Sequence, residues 1–251
     1  MNNKRSALLG RCDGLLLLGL ALFMAWLVSG DAYWNYLHPR FMPLTTAAAA
    51  ILAGLGLFAL WRPPRPSLSR TLAFAVMLGL ALFSLPPADP FGSATDRAAA
   101  EEEAVPEDEK GYVRINTGEL YDVAENGEMG NFPGPGFAVR GFVRRDPALE
   151  RLGCFGLYRV ALYCCFADAT AVGFAVRPAD GVMPEDGTWV RVLGKLEPAP
   201  GGAALPQPEV PGIFYASTLS GYVFHADRVV PVPAPREAFM FEWRQAEPYA
   251  Y

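Results

Sequence analysis

Three uncharged apolar runs occupy the first third of this 251-residue chain, an acidic connector follows, and five short segments of alternating character come after it. Together they predict an N-terminal three-helix transmembrane anchor joined to a C-terminal mainly-β domain. Five strands and one long late loop suit a small five-stranded barrel of the oligonucleotide/oligosaccharide-binding (OB) type, with a β-sandwich as the alternative. The charge divides in the same way. Residues 1–86 hold 7 Lys/Arg against 2 Asp/Glu, residues 87–110 hold 2 against 8, and residues 111–251 hold 12 against 16. Neither the net charge of −5 nor the mean hydropathy of +0.17 therefore describes any one region. A single soluble globule is excluded. A nucleic-acid partner is disfavoured, because no soluble region carries an excess of basic residues. The expected domains are 1–88, 89–110 and 111–251.

The helices come first. Residues 14–30, 43–61 and 71–88 contain no charge, and their 17, 19 and 18 residues span roughly 25–28 Å at about 1.5 Å each. A buried soluble helix of that length carries a polar stripe, and these runs carry none. Lys4, Arg5 and Arg11 precede the first run, and Arg62, Arg65 and Arg70 lie between the second and third. The positive-inside rule puts both segments in the cytoplasm, so three crossings leave everything after residue 88 outside. A cleaved signal peptide over residues 1–30 is the alternative, but Val28-Ser29-Gly30 is not a clean Ala-x-Ala site. A lipoprotein is excluded because Cys12 precedes its apolar run.

In the second helix Ala47, Ala50 and Gly54 form a face of small residues that lets helix backbones approach. It suits packing within the chain or contact with a separate membrane partner. His38 and Arg40 stand where the chain re-enters the membrane, between Leu37 and the apolar run. Turn-shaping by Pro39 and Pro43, with Arg40 at lipid headgroups, is the favoured role, and a substrate path or partner contact is the other. The uncharged interiors argue against a proton- or ion-coupled pathway formed by these helices alone. The connector, with Glu101-Glu102-Glu103 and Glu107-Asp108-Glu109, is too polar and like-charged to order itself and is expected to be a flexible tether.

Strands are expected over 137–145, 157–167, 171–177, 188–197 and 222–230, with a sixth over 112–115. Asn116 followed by Glu119 predicts a capped helix reaching Ala124. Residues 198–221 read as a long Pro/Gly-rich loop. Alternation along 158–166 puts Cys164 on the apolar face and Cys165 on the opposite one with Arg159 and Tyr163. Cys165, Asp168 and His225 are the candidate ligands for zinc or another soft metal ion, provided the fold joins them. Structural thiols, a Cys154–Cys164 disulfide and thiol redox chemistry remain alternatives. Cys-x-x-Cys is absent. So are Gly-x-Ser-x-Gly, His-Glu-x-x-His and phosphate-loop motifs, and the chain is read as non-enzymatic.

Several segments carry a family resemblance. They are His38-Pro39-Arg40 before the second helix, Tyr112-Val113-Arg114-Ile115-Asn116 and Gly141-Phe142-Val143-Arg144. Cys164-Cys165-Phe166-Ala167-Asp168-Ala169 and Trp189-Val190-Arg191-Val192-Leu193-Gly194-Lys195 complete the set. With its three N-terminal membrane helices the chain resembles the YcgQ-like family, bacterial membrane proteins with a DUF1980 domain that are described as permease subunits. The Cys-Cys-x-Ala-Asp-Ala hexapeptide is the most specific part, and the stretch 198–212 is expanded relative to the pattern. The resemblance implies a bacterial cytoplasmic membrane location, a separate polytopic permease as partner and, in some members, a metal-homeostasis setting. The expected function is a membrane-anchored accessory subunit whose outer domain binds or presents a substrate, a metal ion among the candidates. The alternatives are a stand-alone extracytoplasmic metal- or ligand-binding module and an envelope thiol-redox protein.

Overall fold

Nothing between residues 2 and 29 breaks a helix, so α1 runs from Asn2 to Ser29 and takes in the basic residues expected to precede it. Gly30 ends it, and two short 3-10 turns, Asp31–Asn35 and Pro39–Phe41, carry the chain to α2 (Met42–Trp61). Pro63-Pro64 prevent α2 from continuing, and α3 covers Leu68–Phe83. The computed structural model describes residues 2–83 apart from 66, and residues 106–251 apart from 133, 135, 203, 236–237 and 245. The last part of the expected third helix, 84–88, and most of the expected tether fall outside those residues. The chain divides into two units, Met1–Pro87 and Ala88–Tyr251.

In the first unit Arg11–Ser29 and Pro39–Trp61 are long and apolar enough to cross a membrane, and Leu68–Phe83 is apolar but shorter. The close contact of α1 with α2 falls at Gly14 and Gly56. A Cβ on either would press on the other's carbonyl oxygen, at 2.9 and 3.0 Å. The buried face of α2 is Thr45, Ala49, Gly56 and Ala59, and Thr45 Oγ1 lies 2.9 Å from the buried Tyr33 hydroxyl. Ala47, Ala50 and Gly54 point away from this packing, and a Cβ at Gly54 would meet nothing. Among the described residues, none packs on that face. One residue before the first uncharged run, Asp13 is buried. It accepts hydrogen bonds from Arg70 Nε at 2.8 Å, from Arg70 Nη2 and from the Thr71 hydroxyl, tying α1 to the start of α3.

In the second unit a closed barrel forms. Its strands are β2 (Phe137–Arg144), β3 (Phe155–Ala161), β4 (Thr170–Pro178), β5 (Trp189–Pro198) and β7 (Tyr222–Pro231). β2 pairs with both β3 and β5, which closes the ring β2–β3–β4–β7–β5, and β4 with β7 is its parallel pair. Counted along the chain the five strands close in the order 1-2-3-5-4-1. The OB-like barrel is confirmed, and an open two-sheet sandwich does not arise. Three short strands extend the sheet: β1 (Val113–Arg114) on β2, β6 (Tyr215–Thr218) on β4 and β8 (Phe239–Met240) on β3. β6 lies inside the stretch expected to be wholly loop.

Alternation builds the core. Val139 and Val143 of β2, Phe155 and Leu157 of β3, Phe174 and Val176 of β4 and Val190 and Val192 of β5 share one interior. Helix α4 (Thr117–Glu125) adds Leu120, Val123 and Ala124 to that interior, and the Asn116 side chain caps it by accepting from the Glu119 amide at 2.8 Å. Asp146 caps the single turn α5 (Pro147–Glu150) through the amides of Ala148 and Leu149. The β5–β7 register shifts between Leu193 and Gly194, where β5 presses on the carbonyl of His225 with no room for a Cβ at Gly194.

The tether reading needs one correction at its C-terminal end. Glu107–Glu109 form a 3-10 turn, and Glu109 is fully buried, paired with Arg114 at 3.0 Å and Arg191 at 3.1 Å, and accepts from the Tyr251 hydroxyl at 2.9 Å. Two guanidiniums on the barrel surface supply the neutralising partners that a run of like charges lacks. Glu109 belongs to the folded domain.

Candidate metal centre

β3 ends at Ala161, six residues earlier than alternation predicts. The cause is Asp168. Its carboxylate accepts from the backbone N–H of Tyr163 at 3.1 Å and of Cys164 at 2.8 Å, folding residues 162–168 into a tight turn that ends in the 3-10 segment Phe166–Asp168. Once the strand has ended, neighbouring side chains no longer alternate. Cys164 and Cys165 therefore do not sit on opposite faces: their Sγ atoms are 3.5 Å apart. Ligand atoms of Cys164, Cys165 and Asp168 all lie within 4.8 Å of one another, each residue partly exposed.

The structure thus brings together two of the three expected ligands, Cys165 and Asp168, and adds Cys164. It does not bring His225. That residue pairs with Arg177 near the far end of β4, whereas Asp168 lies just before Thr170 at its beginning. Seven residues at about 3.3 Å each separate the two ends by roughly 23 Å. His225 instead has its Nε2 4.0 Å from Glu197 Oε2. The Cys154–Cys164 disulfide is excluded by the same arithmetic. Cys154 precedes β3 and Cys164 follows it, about 20 Å of strand apart, against a Cα limit of about 7 Å for a bridge. All four cysteines are free, and Cys154 is buried.

The electrostatics of the cluster are coupled. Hydrogen bonding to Asp168 and then to Cys165 keeps the proton on Cys164, whose thiol is pushed up to about 12. For Asp168, desolvation acts upward, but hydrogen bonds from the Cys164 thiol and from the amides of Cys164, Tyr163 and Cys165 outweigh it and hold the carboxyl below its usual range. In the absence of a metal the site is thus a thiol leaning on a carboxylate. A soft cation that displaced the thiol protons would find two sulfurs and one oxygen, with room for a further ligand.

Cys164 was missed because strict alternation was extended through a turn. An Asp four residues beyond it, able to accept the turn's amides, was the available signal. Of the residues considered for a partner or substrate path, His38 accepts from the Arg40 amide at 3.1 Å, and the Arg40 guanidinium stacks on Phe41 at 4.9 Å. Both interactions are local and shape the turn into α2.

Residues 92–211 match the family model of the DUF1980 C-terminal domain, a span that holds the whole cysteine cluster and ends before β7. No curated protein and no solved structure matches the chain.

Proposed function

For a chain that belongs to the DUF1980, YcgQ-like family, we propose a membrane-anchored accessory subunit whose outer barrel captures a soft metal ion for a separate polytopic permease. The observation that carries this reading is the convergence of Cys164, Cys165 and Asp168 within 4.8 Å on a domain joined to apolar helices. Three ligands leave a coordination position for a donor or acceptor, which suits transfer better than storage. The helices lie in a bacterial cytoplasmic membrane with the N-terminus in the cytoplasm and the barrel outside. The exposed face with Ala47, Ala50 and Gly54 is available to lipid or to a partner helix. The role is binding, with no catalytic step.

The test uses the full chain in mild detergent. A permease should co-purify in stoichiometric amount, and zinc or copper(I) should be retained at about one ion per chain. Retention should fall with Cys164→Ser or Cys165→Ser and persist in His225→Ala. Because the ion must displace the Cys164 proton, affinity should rise at least about tenfold per pH unit near neutrality. A chain that retains no metal, or retains it equally without the thiols, defeats the metal reading. A lone monomer that still retains metal points to a stand-alone binding module.

The 3.5 Å separation of the sulfurs favours one second reading, an envelope thiol-redox protein. Here Cys164 and Cys165 would close a vicinal disulfide, two electrons and two protons passing to a disulfide-class oxidant. Counting native thiols before and after mild oxidation decides it: two thiols must disappear and return on reduction.

A further inference from the structure

Two turns at one end of the barrel carry aromatic rings that the fold leaves uncovered. β6 runs parallel to β4, with Tyr215 opposite Thr170, so the turns that lead into these strands emerge side by side. One is the turn that Asp168 closes, and β3 enters it with Ala161 as the partner of Thr170. The other runs from Val210 to Ile213. It is closed by the Ile213 amide donating to the Val210 carbonyl at 3.1 Å, with Gly212 at a φ of +79°. Tyr163 stands on the first turn, and Phe214 and Tyr215 follow the second. They are 74, 86 and 67 % exposed, and among the described residues of the barrel unit no large apolar side chain is more exposed.

Both turns have already folded inward what they can bury. Val210 is buried, and Ile213 and Phe166 pack on the same apolar cluster. Asp168 fixes the backbone of Tyr163 and Cys164 through their amides. The three rings are therefore held out by formed structure. Charge is missing around them, since residues 160–167 and 210–224 contain no Lys, Arg, Asp or Glu. The Asp168 carboxylate is taken up by the turn, and Glu242 and Arg244, which follow β8 at this end, are paired with each other.

An exposed apolar patch of this kind marks an interaction surface. Without charge it has nothing to match a partner's ion pairs, whereas Tyr and Phe rings suit the border between lipid headgroups and acyl chains. The bilayer is also an apolar surface kept within reach. The 22 residues 84–105 join α3 to the barrel unit and, fully extended, span at most about 80 Å. A link of that length turns a weak contact into an intramolecular one.

We propose that Tyr163, Phe214 and Tyr215 dock the barrel on the surface of the bilayer that holds the helices. The Phe214 ring sits at the acyl boundary and the tyrosine hydroxyls lie among the headgroups. Cys164 and Cys165 directly follow Tyr163, so docking brings the cysteine cluster to the membrane surface, within reach of a partner embedded there. The proposal rests on the membrane anchoring of the chain and requires no bound metal.

The experiment uses the full chain in phosphatidylcholine nanodiscs. Phe214 is replaced by para-trifluoromethylphenylalanine, and in a control sample Val182, 63 % exposed beyond the opposite end of β4, is replaced by the same residue. Fluorine relaxation is read with dissolved oxygen, which concentrates among acyl chains, and with a water-soluble gadolinium chelate. The ratio of oxygen to chelate response should be at least about fivefold higher at Phe214 than at Val182. Tyr163→Ser combined with Tyr215→Ser should return it to the control value. A Phe214 probe as open to the chelate as the control overturns the proposal, as does a high ratio that the double variant leaves untouched. A probe shielded from both reagents means that protein covers the patch, and overturns it too. If the double variant does not fold, the parent and control samples decide alone. A chain that does not enter the discs overturns the anchor and this proposal together. A water-exposed Phe214 in a chain within the discs overturns this proposal only.

Discussion

Tyr158 shows how one buried side chain turns pH into stability. It is fully buried between strands, its hydroxyl paired with the Thr218 hydroxyl, and burial pushes its phenol up to about 12. A group whose folded pKa is raised contributes stability in full below its unfolded value near 10, and that contribution is lost as pH climbs through 12. The stake is at most about 3 kcal/mol, and Tyr251, also pushed up to about 12, adds a second alkaline slope. Tyr158→Phe should cost about 1 kcal/mol at neutral pH, through the Thr218 hydroxyl left behind, and should flatten the loss above pH 10. Thermal midpoints of the full chain measured from pH 8 to pH 12 test this, and an unchanged alkaline slope would refute it. The arginines were legible at this scale in principle. Arg140, Arg159 and Arg191 each interrupt an apolar run in mid-strand, a pattern that signals a partner for the charge. Which partner was not legible, because the Glu109 that pairs with Arg191 comes from the acidic run that reads as solvated, and the Tyr251 ring under Arg140 comes from the far end of the sequence.

At the scale of elements, periodicity located all five barrel strands and the capped helix α4. It failed where a side chain captured the backbone, as Asp168 does at the end of β3. The short edge strands β6 and β8 escaped it for a different reason: at 4 and 2 residues they are too short for a period to show. In the anchor the sequence showed a small-residue face but not which one packs. Ala47, Ala50 and Gly54 are as small as Ala49, Gly56 and Ala59, and only the α1 surface opposite them distinguishes the two faces. That difference predicts a contrast. Gly56→Val should force α1 and α2 apart and cost about 1–3 kcal/mol, lowering the thermal midpoint of the detergent-solubilised chain. Gly54→Val, with open space before it, should leave that midpoint unchanged while reducing recovery of a partner docked on that face. Equal loss of stability in both variants would mean that Gly14 and Gly56 do not form the contact.

At the scale of the whole chain, the division of charge and hydropathy was enough to foresee an apolar helical unit and a separate β unit. The same uncharged runs drew attention away from Asp13, which lies one residue outside the first and is the acid that matters there. Under the proposed membrane orientation, insertion of α3 should depend on the neutralisation of Arg70 by Asp13, which ties α1 to the start of α3. Under the proposed orientation an alkaline-phosphatase-type reporter joined after Tyr251 should be active outside, and one placed at Arg65 should not. Asp13→Leu leaves Arg70 without that carboxylate at the edge of the apolar layer, a penalty of up to about 3 kcal/mol, and should lower the outside signal at Tyr251. Adding Arg70→Met removes the stranded charge and should restore it, because the pair is needed only to cancel itself. An Asp13→Leu chain that reports from outside as well as the parent would show that α3 inserts unaided. A parent chain that reports from the cytoplasm would reverse the orientation and, with it, the proposed place of the cysteine cluster outside the membrane.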